Sequence, residues 1–390
     1  MTNPVPRTTY VPADVRLANL VRIVHELREA GALSRSEVAR RVGVSLPTAH
    51  RLVSDLAGLD LVGEESVPAD GTRLGRPPVV YRFRDDAAVL VGMDVGNETT
   101  RIAVTALSGR VIASQAMTTE SIGTDLAGAL AGKVTELLAS TPGPVRELAG
   151  AGAGIASAVD GGGILRDPPL HKQWNGLPLR NLLADRLGCD VLVAQDDHLS
   201  PIAESSDQGT VPGAASVLVL EIGRGIGVGL TIDGVPVPGS RHRFGRIAGW
   251  PVLSLAGQPG TLGEFLVTSG LVAQYREAGG SREVTDGAGL ASVARRGDER
   301  AREVFGWAGE QIGDVVTRLF QLCDPEAVVI GGGMARAYDL LEPAMASGLP
   351  LDADLKVARS VLGEQAVVTG AVLTAGTFVE GWLHRQLARA

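Results

Sequence analysis

A small α+β head joined to a larger α/β body is the fold class this sequence predicts, and three observations predict it. The N-terminal segment holds three apolar-periodic helical stretches punctuated by Gly31 and Gly43. Two Val-rich runs then flank a loop of Gly, Pro and Arg. From residue 88 onward, strand-like runs alternate with helical ones, the pattern of an α/β architecture.

The chain has 390 residues. That exceeds the ~100–200 residues of one typical domain, so two units are expected, over 1–86 and 87–390. Hydrophobic residues make up 45% and charged residues 21%, which excludes a disordered chain. No unbroken apolar run of about 20 residues is present, so no membrane span is expected. The first residues lack the apolar core of a secretion signal, so a cytoplasmic protein is expected. Cys189 and Cys323 offer no disulfide framework and have no partner at metal-binding spacing. Net charge is −8 but unevenly spread. Residues 1–84 carry 12 Arg against 9 acidic residues, or +3; the remainder carries 24 basic against 35 acidic, or −11. A basic head on an acidic body fits a local contact with nucleic acid.

In the first helical stretch, residues 13–30, Leu17, Leu20, Val24 and Leu27 recur at spacings of three and four and share a face. Gly31 stops it. Ser34 and Glu37 form a capping box for a second helix, with Val38, Ala39 and Val42 inward. Gly43 breaks that helix after two turns. Ser45 can cap a third, which tolerates Pro47 in its first turn and runs to about Leu56. Ala49, Leu52, Val53 and Leu56 face inward. Short helix, glycine turn and capped helix make a helix-turn-helix. Ser45, Thr48, His50, Arg51 and Ser54 lie outward, with side chains able to reach base edges and phosphates from the major groove. The plain alternative is a helical hairpin with a polar surface. The following LDLVGEE and VVYRFR strands enclose a loop with Arg73, Gly75 and Arg76 at its tip. That is a hairpin wing, and an Arg on a stiff loop suits the minor groove. A winged helix-turn-helix binding double-stranded operator DNA is therefore expected.

In the body, strand candidates are AVLVGMDVG, TRIAVTAL, GAGIASAV, DVLVAQD, SVLVLEIG, GVGLTIDG and AVVIGGG. Three of them meet glycines: Asp94 and Gly96 at one hairpin, Gly225 and Gly227 at a second, and Gly331, Gly332 and Gly333 between a strand and a helix. Glycines there expose backbone N–H groups to a phosphate, but tight turns need glycine too.

These three junctions in this order, behind a wing ending in GRPP, resemble the ROK family (repressors, open reading frames, kinases) in its DNA-binding regulator branch. The resemblance runs from about Arg16 to the C-terminus. It implies an actin-like ATPase fold, ribonuclease H-like and two-lobed. Lobe one would span about 87–194 plus the C-terminal return, and lobe two about 195–366.

In the family's kinases, the resemblance implies an Asp acting as general base within an Asn-Asp pair, trailed by Gly-Glu. Gln195 and Asp196 fall there, with Ala203 and Glu204 trailing. A carboxylate at Asp196 suits proton removal from a sugar hydroxyl; it equally suits holding a ligand or capping a helix. Other elements depart. The first phosphate loop, Asp-x-Gly-Gly-Thr in the kinases, reads Asp94-Val95-Gly96-Asn97-Glu98, which brings negative charge toward phosphates. Arg224 stands in the second loop where Thr is usual; it either binds phosphate or fills the site and pairs with Glu98. The family's Ala-Gly-Glu-Ile-Gly-His stretch matches residues 244–249, with Arg246 for the sugar-binding Glu and Gly249 for the His. The Cys-rich zinc loop matches residues 254–261, which hold no thiolate, so no zinc is expected. Glu264 falls one residue from another sugar-binding Glu. Trp174 matches the family's Trp, as ligand platform or packing residue, with the usual upstream Asn falling on Leu170 or His171.

The expectation is thus a transcription regulator with a sensing and dimerising body that has lost catalysis, assembled as a homodimer or homotetramer. A bifunctional sugar kinase is the alternative, which leaves ATP and magnesium open. The Arg246 exchange favours an anionic effector such as a sugar phosphate or sugar acid over a neutral sugar.

Overall fold

The computed structural model describes residues 12–66, 79–141, 147–349 and 355–388. In the head, α1 (Pro12–Ala30) is followed by β1 (Leu33–Ser34), α2 (Arg35–Val42), α3 (Leu46–Gly58), β2 (Val62–Ser66) and β3 (Val79–Phe83). The Ser34 side chain accepts from the Glu37 N–H while Glu37 reaches back to the Ser34 N–H, so the capping box is complete. Gly43 ends α2 in the left-handed region at φ 76°, which leaves room for the sharp turn into α3. Ser45 caps α3 through the Thr48 N–H, and Pro47 lies in the first turn. Leu20, Val24, Leu27, Ala49, Leu52, Val53 and Leu56 are buried together. The strands pair in the order β1-β3-β2, so a hairpin stem stands beside the helices. Its tip, with Arg73 and Arg76, lies outside the described residues. Arg82 pairs with Glu65 and Arg84 with Asp60 and Asp86, so these two arginines brace the stem.

The body has two five-stranded sheets built on one plan. The first lobe contains β4 (Ala88–Val95), β5 (Thr99–Ala106), β6 (Val111–Thr118), α4 (Leu126–Ser140), β7 (Glu147–Ile155), the short pair β8 (Ala158–Val159) and β9 (Leu165–Arg166), α5 (Leu179–Leu187) and β10 (Val191–Gln195). Its main sheet runs β10-β7-β4-β5-β6, with β10, β7 and β4 parallel and β4, β5 and β6 an antiparallel meander. The second lobe follows with α6 (Ser200–Glu204), β11 (Ser216–Ile222), β12 (Ile226–Ile232), β13 (Val235–Pro236), β14 (Pro251–Leu253), β15 (Pro259–Thr261), α7 (Leu262–Phe265), α8 (Thr268–Glu277), α9 (Gly287–Arg295), α10 (Glu299–Cys323), β16 (Ala327–Gly331), α11 (Tyr338–Ser347) and β17 (Lys356–Arg359). Its sheet runs β13-β12-β11-β16-β17, again an antiparallel meander joined to parallel strands. All seven strand candidates form strands. Six further strands of the body, β6, β9, β13, β14, β15 and β17, had no candidate: β6 has no residue fully buried and so no apolar run, and the other five have two to four residues each.

The chain returns through α12 (Ala366–Gly376) and α13 (Val379–Ala388). α12 lies directly on the β4 and β7 backbones. A Cβ at Gly92 would collide with the Val368 carbonyl, and one at Gly152 with the Ala371 backbone. The Gly-rich pattern of β7 therefore serves close helix–sheet approach rather than ligand contact. α13 continues to the head, where Val379, Trp382, Leu383 and Leu387 join the same buried cluster as Leu20, Leu27 and Tyr81. The boundary drawn at residue 86 is thus a boundary of sequence; the core crosses it. The stretch Gly363–Ala388, which holds α12 and α13, is long and apolar enough to cross a membrane by length and composition alone, and half of its most apolar window is buried inside the protein. Its apolar residues are spent on the first-lobe sheet and the head.

Candidate functional site

Two surfaces carry the residues singled out in the sequence. The first is the outward face of α3. His50, Arg51, Ser45 and Ser54 are exposed there and Thr48 is half-buried. Several hydroxyls are already engaged. Ser45 Oγ lies 2.8 Å from Thr48 Oγ1, and Ser54 Oγ donates to the His50 carbonyl at 2.9 Å. Arg51 and, on α2, Arg40 are exposed and make no hydrogen bond or ion pair among the described residues. By contrast Arg35 pairs with Glu64 at 3.4 Å and Arg41 with Glu26 at 3.0 Å, so they hold the head together.

The second surface is the cleft where the three glycine junctions meet the Asp196 turn. The first junction is held by backbone: Gly96 N–H donates to the Thr99 carbonyl, and Thr119 Oγ1 donates to the Gly96 carbonyl at 2.8 Å. The second is tied down by Thr268, which donates from both its N–H and its hydroxyl to the Gly223 carbonyl. Gly225 has open space, whereas a Cβ on Gly227 would strike the Asp197 carboxylate. In the third, Gly332 takes φ 72° against the Ile222 backbone and Gly331 faces the Glu221 side chain. Gly333 is open. Gly227, Gly331 and Gly332 are thus required by packing.

Charged side chains fill the space between these loops. Arg224 of the second loop forms an ion pair with Glu98 of the first. Arg101 on β5 lies 3.5 Å from Asp94 and pairs with Glu364, which in turn pairs with Arg336 at 2.6 Å beside the third loop. Two ion-pair links therefore join the lobes across the cleft. Asp94 is pushed up to about 7 by burial, with Arg101 opposing. Glu221 is pushed up to about 8 by burial, and the Asp197, Glu204 and Asp94 carboxylates push the same way. Asp196 is raised well above the carboxylate range, first by burial and then by Asp197, Asp94 and Glu221. A nucleotide's phosphates would meet Glu98 and this acidic group with Arg101, Arg224 and Arg336 already paired. The residues present fit a magnesium nucleotide poorly, because its phosphates would face the Glu98 carboxylate and compete with it for Arg224.

Around Asp196, Gln195 is buried and donates from Nε2 to Asp197 Oδ2 at 2.8 Å, while its Oε1 has no partner. Arg246 is exposed, without an ion pair among the described residues, and its charge favours the ionised form of Asp197. Glu204, the trailing glutamate, is fully buried and takes hydrogen bonds from Thr210 and Ser360, so it fastens α6 to the end of β17. Trp174 is buried; its Nε1 donates to the Gly123 carbonyl at 3.1 Å and its ring stacks on His171 at 4.2 Å. It forms the inner wall of a narrow crevice with Gly96, Asn97 and Ser157, beside the first glycine junction. His171, one of the two positions matched to the family's Asn, lies with Nε2 3.1 Å from the Asn97 carbonyl. Glu264 is exposed and closes a capping box with Thr261 at the start of α7, away from Asp196 in role. The segment matched to the zinc loop is the β14–β15 hairpin. Its turn is closed by Ser254, which accepts from Gln258 N–H at 3.0 Å, and by Gln274, which accepts from Leu255 N–H at 2.7 Å. Oxygen and amide groups do there what thiolates do around a metal, and the donor set does not fit zinc.

Sequence reasoning missed Arg101, Arg336, Glu364, Glu221 and Thr268. Arg101 and Glu364 are 263 positions apart, and only the fold brings them together.

A model of the ROK family matches residues 90–375, and one of the IclR helix-turn-helix domain matches residues 16–66. The chain belongs to the ROK family. It is a ROK-family transcriptional regulator, with a helix-turn-helix head and a kinase-like body. A transcriptional regulator of Mycobacterium tuberculosis is 27% identical over 92% of this chain and 84% of its own length. The xylose repressor of Caldicellulosiruptor bescii is 22% identical over 91% and 94%. A glucokinase of Thermotoga maritima is 26% identical but covers 65% of this chain. Among solved structures, a ROK-family transcriptional regulator homologous to the E. coli MLC protein superposes with a TM-score of 0.75 at 20% identity, over 96% of this chain and all of its own. A ROK glucokinase from Streptomyces griseus reaches 0.62, also at 20% identity, over 74% of this chain and all of its own.

Proposed function

We propose that this ROK regulator grips operator DNA through α3 and the wing, and that its cleft binds an anionic sugar derivative without transferring phosphate. The observation that carries the reading is the contrast in arginines: exposed and without an ion pair among the described residues at Arg40 and Arg51, already paired with cleft carboxylates at Arg101, Arg224 and Arg336. Arg51 with His50 meets base edges, Arg40 meets a phosphate, and Arg73 and Arg76 reach the minor groove. The protein acts in the cytoplasm, at the nucleoid, as a homodimer or homotetramer whose paired heads read two half-sites. Electrophoretic shift with its own upstream DNA tests this: binding that is specific and weakens steeply with salt is expected, and its absence sinks the reading.

The cleft offers the buried, unpartnered Gln195 Oε1 as acceptor for a hydroxyl and Arg246 as a cation for a carboxylate or phosphate. One relative is named a xylose repressor and another a putative xylose repressor, which supports a sugar-derived effector. Calorimetry with sugar phosphates and sugar acids tests the class. Tight binding of a neutral sugar that ignores Arg246→Ala counts against it. The kinase reading retains Asp196, but burial and the neighbouring carboxylates raise its pKa, which disfavours the ionised form that a general base needs. A coupled assay of ATP consumption over common sugars is expected to stay at background; turnover lost in Asp196→Asn restores the kinase. We also propose that the body binds no zinc, which metal analysis of the purified protein tests.

A further inference from the structure

The leading turns of α3 carry one large aliphatic side chain that the core does not use. Leu46, the first residue of α3, is 54% exposed. Its neighbours on the helix, Ala49, Leu52, Val53 and Leu56, are buried, as is every large aliphatic residue of α2. It sits directly after the Ser45 cap and one turn before His50, on the end of the helix that a helix-turn-helix directs at base edges. The polar reading capacity of this end is limited. One O–H of the Ser45–Thr48 pair is spent inside that pair, Ser54 has given its proton to the His50 carbonyl, and Pro47 has no donor. No Asn or Gln is present on α3 to read adenine. The base feature that an exposed branched aliphatic group recognises in the major groove is the thymine 5-methyl group, which only A·T pairs present.

We propose that Leu46 is a specificity-determining residue that reads one thymine per half-site through its methyl group. This rests on operator binding through α3, proposed above, and adds to it the identity of a base. Contact with one methyl group removes about one CH₂ equivalent of apolar surface from water, which corresponds to about a fourfold change in affinity.

The test uses the full chain. Duplexes retained by the protein are selected from fragmented genomic DNA and trimmed to a minimal operator. Each thymine is then replaced singly by deoxyuridine, which removes the methyl group and nothing else. One position in each half-site should weaken binding about fourfold for the unaltered protein and leave Leu46→Ala unaffected. Leu46→Ala should keep the salt dependence and the melting temperature, because the side chain is outside the core. If operator DNA is bound but no thymine shows a methyl effect that Leu46→Ala removes, the inference is overturned while operator binding stands. If no duplex is retained at any salt concentration, operator binding itself fails and the inference falls with it.

Discussion

Head and cleft use the same side chain in opposite ways. On the head, Arg40 and Arg51 stand in water with no partner among the described residues. In the cleft, Arg101, Arg224 and Arg336 are locked to carboxylates brought from other elements. An exposed guanidinium is already solvated and exchanges its counterions for a DNA phosphate at little cost. A guanidinium already paired has to give up its carboxylate, a modest cost for exposed pairs such as Arg224–Glu98 and Arg336–Glu364, and that carboxylate then repels the incoming anion. The difference separates a surface made to receive phosphate from one that has filled its own phosphate site. Arg246 is the exception in the cleft and marks the place where an anion still has something to bind.

The comparison can be broken in four ways, from the largest expected effect downward. Trp382→Ala removes an indole from the core shared by head and body and a hydrogen bond to Glu147, and should cost about 3–5 kcal/mol. Denaturant melting followed separately in head and body should show both losing stability; a head that melts unchanged would mean the two regions are independent. Arg51→Ala should weaken operator binding about tenfold to hundredfold, the worth of one good base contact, with Arg224→Ala leaving it unchanged. Comparable losses in both variants would erase the distinction drawn here.

The third test uses pH. Burial holds Glu221 at about 8 and Asp94 at about 7, so both keep protons in the folded chain that the unfolded chain releases near pH 4. A raised carboxyl favours the fold at low pH, and its contribution is lost as pH rises from about 4 through 8. The melting temperature of Glu221→Gln should therefore fall less between about pH 5.5 and 8.5 than that of the unaltered protein. Parallel curves would contradict the burial described for Glu221. The smallest expected effect is none at all: millimolar magnesium ATP should leave the melting temperature unmoved. The double variant Glu98→Thr with Arg224→Thr, which removes one link, should gain a shift if ion pairing is what closes the site.

Much of the head was legible because its signals are local. Ser34 and Glu37 sit three residues apart and cap one helix; Gly43 and Ser45 mark the turn they occupy. The two sheets were legible through their apolar runs, and the strands of these sheets that escaped, β6, β13 and β17, are the ones without such runs. In the cleft, the Glu98–Arg224 pair was one of two readings open to sequence, because both residues replace small hydroxyl groups in known loops. Arg101, Glu364 and Arg336 gave no such signal, since a salt link depends on distance in space and not on spacing in sequence. Trp174 and Glu264 show the reverse limit. Trp174 matches a ligand-binding position and Glu264 falls one residue from another, and each also makes a local hydrogen bond, to the Gly123 carbonyl and from the Thr261 N–H, that no sequence match signals.

The helix α13 has a practical meaning for anyone who would exchange reading heads between regulators of this kind. The head is continuous in sequence, but the body it needs to keep its core dry is supplied from the far end of the chain. A graft cut only after residue 86 would carry across half of a hydrophobic seam and leave Val379, Trp382 and Leu383 facing strangers. The transplantable unit includes at least two pieces, residues 12–86 and the stretch from Val379 onward, and they have to travel together.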